Sequence, residues 1–87
     1  MYQVDFLQEA LNDLEGLDRN VAKRLLRKLR WLAENFESVK VESLTGKLSG
    51  LFKLRLGDYR ILYQPDREHR TITVHMVGHR REIYKRP

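Results

Sequence analysis

The 87-residue chain predicts an α+β domain in the order β-α-α-β-β-β, with an N-terminal strand and an α-helical hairpin packed on one face of a small antiparallel β-sheet. Three observations predict it. Between Leu7 and Phe36 apolar residues recur at helical spacing in two runs, broken near Gly16. From Phe52 to Tyr63 apolar residues alternate with others around Gly57-Asp58. Thr71 to Val77 is rich in β-branched residues.

Tyr2 to Phe6 forms a short strand, with Tyr2, Val4 and Phe6 on one side. Leu7, Ala10, Leu11, Leu14 and Leu17 then mark a first helix that stops near Gly16. Asp18 is placed to cap a longer second helix, in which Ala22, Leu25, Leu26, Leu29, Leu32, Ala33 and Phe36 form one apolar stripe. A short turn between helices makes an antiparallel hairpin, setting an acidic first helix beside a basic second one that carries Arg24, Arg27 and Lys28 on its outer face. Trp31 falls almost opposite the centre of the stripe. Two uses fit it: a ring covered by the stems of Arg27 or Lys28, or an anchor, with Arg27, for a protein partner.

Glu37 to Ser49 is a connection, with Gly46 and Gly50 as breakers. Next comes the stretch of greatest functional interest. Gly57 supplies the positive φ that a two-residue hairpin turn of type I′ or II′ demands. The register follows: Leu56 faces Tyr59, Arg55 faces Arg60, Leu54 faces Ile61, and Lys53 faces Leu62. One face then collects Phe52, Leu54, Leu56, Tyr59, Ile61 and Tyr63 as core, and the other collects Lys53, Arg55 and Arg60. Like charges directly opposite each other are destabilising, so this face points to a polyanion. Solubility and edge protection also place Lys and Arg on exposed strands. After a polar loop from Pro65 to Arg70, the third strand puts Ile72, Val74 and Met76 in the core. Thr73, His75 and Val77 fall on the cationic face, with a bulge at Gly78.

One domain, residues 1–87, is all this length allows, and it buries roughly 60% of the surface of the unfolded chain. The 17 Lys and Arg against 12 Asp and Glu leave a net charge of +5. Residues 1–18 hold five acids and no Lys or Arg, so residues 19–87 carry a net +10. A polyanionic partner for the second helix, the sheet and the tail is the expectation. There is no cysteine, which excludes disulfides and thiolate metal sites. No signal-peptide pattern or membrane-spanning apolar run is present, so a cytoplasmic protein with no membrane partner is expected.

The three histidines show no metal-ligand spacing on a helix, and neither a phosphate-cradling glycine loop nor a nucleophile motif occurs. No metal and no cofactor is expected. What remains is a phosphate-binding surface of Lys53, Arg55, Arg60, Arg80 and Arg81, with Lys85 nearby and His79 and Tyr84 able to hydrogen-bond or stack. Such groups can cleave RNA without metal. The substrate's 2′-hydroxyl attacks, a base takes its proton, cations hold the phosphate charge, and an acid protonates the departing 5′-oxygen. Lys53 is a candidate base, because flanking guanidiniums disfavour its charged form. Nucleic-acid binding without cleavage fits the same residues.

Gly50 to Tyr63, containing Gly57-Asp58-Tyr59-Arg60, and Val77-Gly78-His79-Arg80-Arg81-Glu82-Ile83-Tyr84 resemble the RelE branch of the RelE/ParE bacterial toxin superfamily. The lead-in from Leu48 and the helical hairpin are similar too. The resemblance implies a RelE-like microbial ribonuclease-type fold and the toxin of a type II toxin-antitoxin system. It implies an endonuclease that cuts mRNA in the A site of the translating ribosome, held inactive by a cognate RelB-like antitoxin. By position, Lys53 and Arg55 would place the 2′-hydroxyl and phosphate, and Arg60 would bind the scissile phosphate. Arg80 would be a leaving-group acid or clamp, His79 an alternative acid, and Tyr84 a stacking platform. Leu51 stands where some members have a further lysine, and the segment between Arg80 and Tyr84 is shorter than in some. The alternative implied by the superfamily is a ParE-like toxin that binds and inhibits DNA gyrase without cleaving.

Overall fold

The computed structural model of the chain describes residues 1–86; Pro87, the last residue of the expected domain, lies outside them. Strand β1 (Gln3–Phe6) leads directly into α1 (Gln8–Glu15), with Gly16 as its C-cap. Asp18 caps α2 (Arg19–Asn35), its carboxylate accepting from the amides of Asn20 at 3.0 Å and Val21 at 3.3 Å. These are two of the donors that a helix start leaves without an intrahelical partner. Beyond a 3₁₀ turn come β2 (Glu42–Ser43), β3 (Phe52–Leu56), β4 (Tyr59–Asp66), β5 (Thr71–His79) and α3 (Arg80–Ile83).

The strands form one sheet in the order β1-β5-β4-β3-β2. Its centre is the expected antiparallel meander, and β1 joins at the far side as a parallel partner of β5. The short β2, which the sequence pattern left inside a connection, adds to β3 at Glu42 and Ser43. Two residues of pairing leave no periodicity to read.

Hairpin β3–β4 has the predicted register throughout, from Phe52 opposite Tyr63 to Leu56 opposite Tyr59. Gly57 turns at φ +58° while Asp58 keeps a negative φ, as a type II′ turn requires. In β5 the expected parity fails halfway. Leu62 pairs with Met76 but Tyr63 pairs with Val74, so His75 bulges without a partner. Everything after the bulge changes face. Val77 therefore lies in the core at 1% exposure, Met76 lies on the side of Leu62, and Gly78, expected to bulge, pairs regularly with Arg60.

Helices α1 and α2 cover one face of the sheet in two adjoining clusters. Leu32, Ala33 and Phe36 pack with Tyr2, Tyr63 and Ile72; Ala10, Leu25 and Leu29 pack with Ile61, Val74 and Val77. Each Leu, Ile, Val or Phe among them contributes about 1.5–3 kcal/mol by leaving water. Leu26 departs from the predicted stripe and stays 42% exposed. The opposite sheet face is not wholly free for cations. Leu62 there is fully buried, and Ile83 of α3 packs over Gly78.

No described helix is long and apolar enough to cross a membrane. Two acids of α1, Glu9 and Asp13, find their partners outside α2. Asp13 accepts from the Val77 amide at 2.9 Å and from the Arg86 guanidinium at 2.7 Å, and Glu9 lies 3.4 Å from the same Arg86 nitrogen. Past Phe6, no strand among the described residues pairs with β5 on that side, so Asp13 satisfies an otherwise unpaired edge donor and clasps the tail to it.

Candidate functional site

The β3–β4 turn organises the cations. Arg55 and Arg60 stand opposite each other in the register, yet they do not share one environment. Arg55 is exposed, whereas Arg60 is 6% exposed, folded back so that Nη1 donates to the carbonyls of Gly57 at 2.8 Å and Tyr59 at 2.9 Å. Two lone pairs thus hold a cation that would otherwise repel its cross-strand neighbour. Among the described residues no buried side-chain donor lacks a partner. The remaining N–H groups of Arg60 therefore keep contact with solvent, fixed in direction before any ligand arrives.

Arg80 reaches the same turn from α3. Its amide donates to the Asp58 carbonyl at 2.7 Å, and its Nε lies 3.6 Å from the Asp58 carboxylate. His79 pairs with Tyr59 across the strands, the rings meeting edge to face at 5.6 Å. Its Nδ1 accepts from the Arg81 amide at 3.1 Å, capping α3. A neutral His79 in that bond carries its proton on Nε2. Tyr84 ends α3 and is 42% exposed, and Arg81 and Lys85 are exposed beside it.

Lys53 has an acidic partner that the sequence did not single out: its ammonium lies 3.5 Å from the Glu42 carboxylate on β2. On α2, the Lys28 ammonium sits 4.3 Å from the centroid of the Trp31 ring, so the covered-ring arrangement occurs. Trp31 is nonetheless 42% exposed and shares a shallow concavity with Arg24, Arg27 and Leu56. Among the described residues no three His, Asp or Glu side chains gather as metal ligands would.

Structure therefore brings Arg55, Arg60, Arg80 and His79 to one turn, with Tyr84 at the end of α3, Lys53 two residues along β3 and Trp31 and Arg27 on the helical side. Sequence reasoning missed Asp58, Glu42 and Asp13, the acids that hold Arg80, Lys53 and Arg86. Asp58 sat in the turn motif and was assigned only a backbone role. The partner of Asp13 lies 73 positions away, beyond any local signal.

Residues 4–84 match the model of the ParE toxin of type II toxin-antitoxin systems, parDE. Toxin RelG of Mycobacterium tuberculosis is 46% identical over 43 residues, 49% of this chain and 49% of that protein, so the alignment spans about half of its length. A chain in the crystal structure of the toxin-antitoxin complex RelBE2 from Mycobacterium tuberculosis superposes with a TM-score of 0.80 at 32% identity, covering 90% of this chain and 96% of that one. The isolated RelE toxin of E. coli gives 0.75 at 30% identity, over 97% and 92% of the two chains. With nearly its whole length matched, the chain belongs to the RelE/ParE family of toxins of type II toxin-antitoxin systems.

Proposed function

We propose that this toxin is a ribosome-dependent mRNA endonuclease that cuts in the A site by attack of the substrate's own 2′-hydroxyl and so inhibits translation in the cytoplasm. The observation that carries this reading is Arg60. A guanidinium pinned by two turn carbonyls, with its free N–H edge at solvent, is a preorganised donor for a phosphate that gains charge in the transition state. Arg55 and Arg80 add cations beside it. His79 presents Nε2 as the ring nitrogen that would hand a proton to the departing 5′-oxygen from the imidazolium, a form reached by giving up the bond its Nδ1 accepts from the Arg81 amide. Lys53 must leave Glu42 before it turns to the phosphate or the 2′-hydroxyl. Tyr84, Arg81 and Lys85 offer a ring and two charges along the strand of RNA.

A second reading, gyrase inhibition without cleavage, draws support from the match to the ParE description. Purified protein added to programmed ribosomes, with mRNA ends mapped beside a supercoiling assay, separates the two. Cuts that vanish in Arg60→Ala and Arg80→Ala are expected; intact mRNA with blocked supercoiling overturns the nuclease. A cognate RelB-like antitoxin is proposed to cover α2 through Arg27 and Trp31, because relatives were solved as toxin-antitoxin complexes. Trp31→Ala is expected to weaken that complex at least tenfold, and unchanged affinity removes the contact.

A further inference from the structure

Beside the outer edge of β3 lies a cavity of about 220 Å³ that shares only Lys53 and Arg55 with the proposed chemistry. It exists because β2 pairs only with Phe52 and Lys53, leaving the β3 edge uncovered from Leu54 onward. For the same reason Leu54 from one sheet face and Lys53 and Arg55 from the other meet around one opening. Leu32, Val39, Val41 and Leu54 make apolar walls. Lys28, Lys40 and the two β3 cations ring the mouth, with Trp31 beside them and Glu42 as the one acid among the lining residues.

Tyr63 also lines this space. It is 1% exposed, and its hydroxyl has no hydrogen-bond partner among the described residues, although no described side-chain donor or acceptor is both buried and unpartnered. The hydroxyl is therefore the part of Tyr63 that reaches open space. Burial pushes this phenol up to about 12, so it remains a proton donor throughout the physiological range.

Apolar walls, an inner donor, an aromatic rim and several cations select a ligand that is flat, accepts a hydrogen bond at its inner edge and is anionic outside. We propose that the cavity binds one unpaired nucleotide of single-stranded RNA, its base inserted toward the Tyr63 hydroxyl beside Trp31 and its phosphates held by Lys28, Lys40 and Lys53. The inference rests on the nuclease reading. Lys53 and Arg55 belong to both the cavity mouth and the phosphate face, so RNA lying across β3 brings a nucleotide flanking the scissile bond to this slot, where its base is read.

Trp31 is the sole tryptophan, so intrinsic fluorescence reports on the cavity. The probe is a 2′-O-methyl RNA hexanucleotide, which lacks the attacking hydroxyl, titrated into the full chain beside inorganic phosphate. Saturable quenching by the hexanucleotide and none by phosphate is expected. Tyr63→Phe, which deletes only the hydroxyl, should weaken binding about five- to tenfold. Val41→Phe, which fills the slot, should abolish quenching while far-UV dichroism stays unchanged. Wild-type affinity in both variants overturns base insertion. Quenching by an acidic peptide but not by the hexanucleotide marks a protein groove and also overturns it. Cleavage on ribosomes without quenching rejects the site and keeps the enzyme; Tyr63-dependent quenching with intact mRNA keeps the site and rejects the enzyme.

Discussion

At the residue scale, Arg60 owes its orientation to carbonyls. Replacing it by Ala leaves the Gly57 and Tyr59 oxygens to water at an exposed turn, a stability cost of about 1 kcal/mol. The loss of a fixed phosphate donor is expected to lower the proposed cleavage by about 10²–10³-fold. Arg60→Lys should recover little of that, since an ammonium on a flexible stem cannot bond both carbonyls and still present an oriented edge. Single-turnover cleavage and thermal melts of the two variants check this; full activity in the Lys variant would break the argument. Glu42→Gln tests the opposite case. The Lys53–Glu42 pair is partly exposed, with side chains 26% and 57% accessible, and such pairs contribute about 0.2–1 kcal/mol. Releasing Lys53 should raise cleavage by at most about fivefold, read as kcat/KM.

At the element scale, the bulge at His75 decides which groups of β5 enter the core. The alternation Ile72, Val74, Met76 was legible, but nothing in it announces that Met76 and Val77 exchange faces. A bulge is settled by what each face packs against, and Val77 meets Ala10, Leu25 and Leu29 across the whole domain. Downstream, α3 depends on Gly78. A β-carbon there would lie 3.5 Å from Arg86 Nη2 and 3.7 Å from Ile83 Cβ, ordinary contact distances. Gly78→Ala should therefore fold, and perform the proposed cleavage, almost as the parent does. Gly78→Val adds two methyls where Ile83 sits and should lift α3, visible as faster amide exchange at Lys85 together with reduced cleavage. Helix α2 begins on Asp18, and Asp18→Ala should cost about 1 kcal/mol, near 4–8 °C in Tm for a domain of this size.

At the scale of the whole molecule, the alkaline limb of stability belongs to two buried tyrosines. Tyr63 is pushed up from 10.0 to about 12 by burial. Tyr2 is raised chiefly by donating to the Glu37 carboxylate, with burial adding to it. Both phenols keep their protons more tightly when folded than when unfolded. The resulting stability is intact below pH 10 and is lost as pH rises from about 10 through 12. Urea unfolding across that window should show the fall, and Tyr63→Phe should flatten it; identical slopes would contradict the assignment. Charge is also arranged globally. Asp13 and Glu9 near the N-terminus clasp Arg86 near the C-terminus, leaving the hairpin and α2 as the basic surface.

The sequence by itself determined the two helices, the hairpin register, the pairing of Arg55 with Arg60, and the family. These depend on period, turn chemistry and local motif, each complete within a few residues. Only the tertiary structure decided the parallel placement of β1, the parity change in β5, and the acids that orient Lys53, Arg80 and Arg86. It also decided that Tyr63 lines a cavity beside Trp31. These outcomes depend on which distant surfaces meet and on how a buried polar atom finds a partner. A linear pattern shows a residue's own preference and not the neighbour that packing supplies.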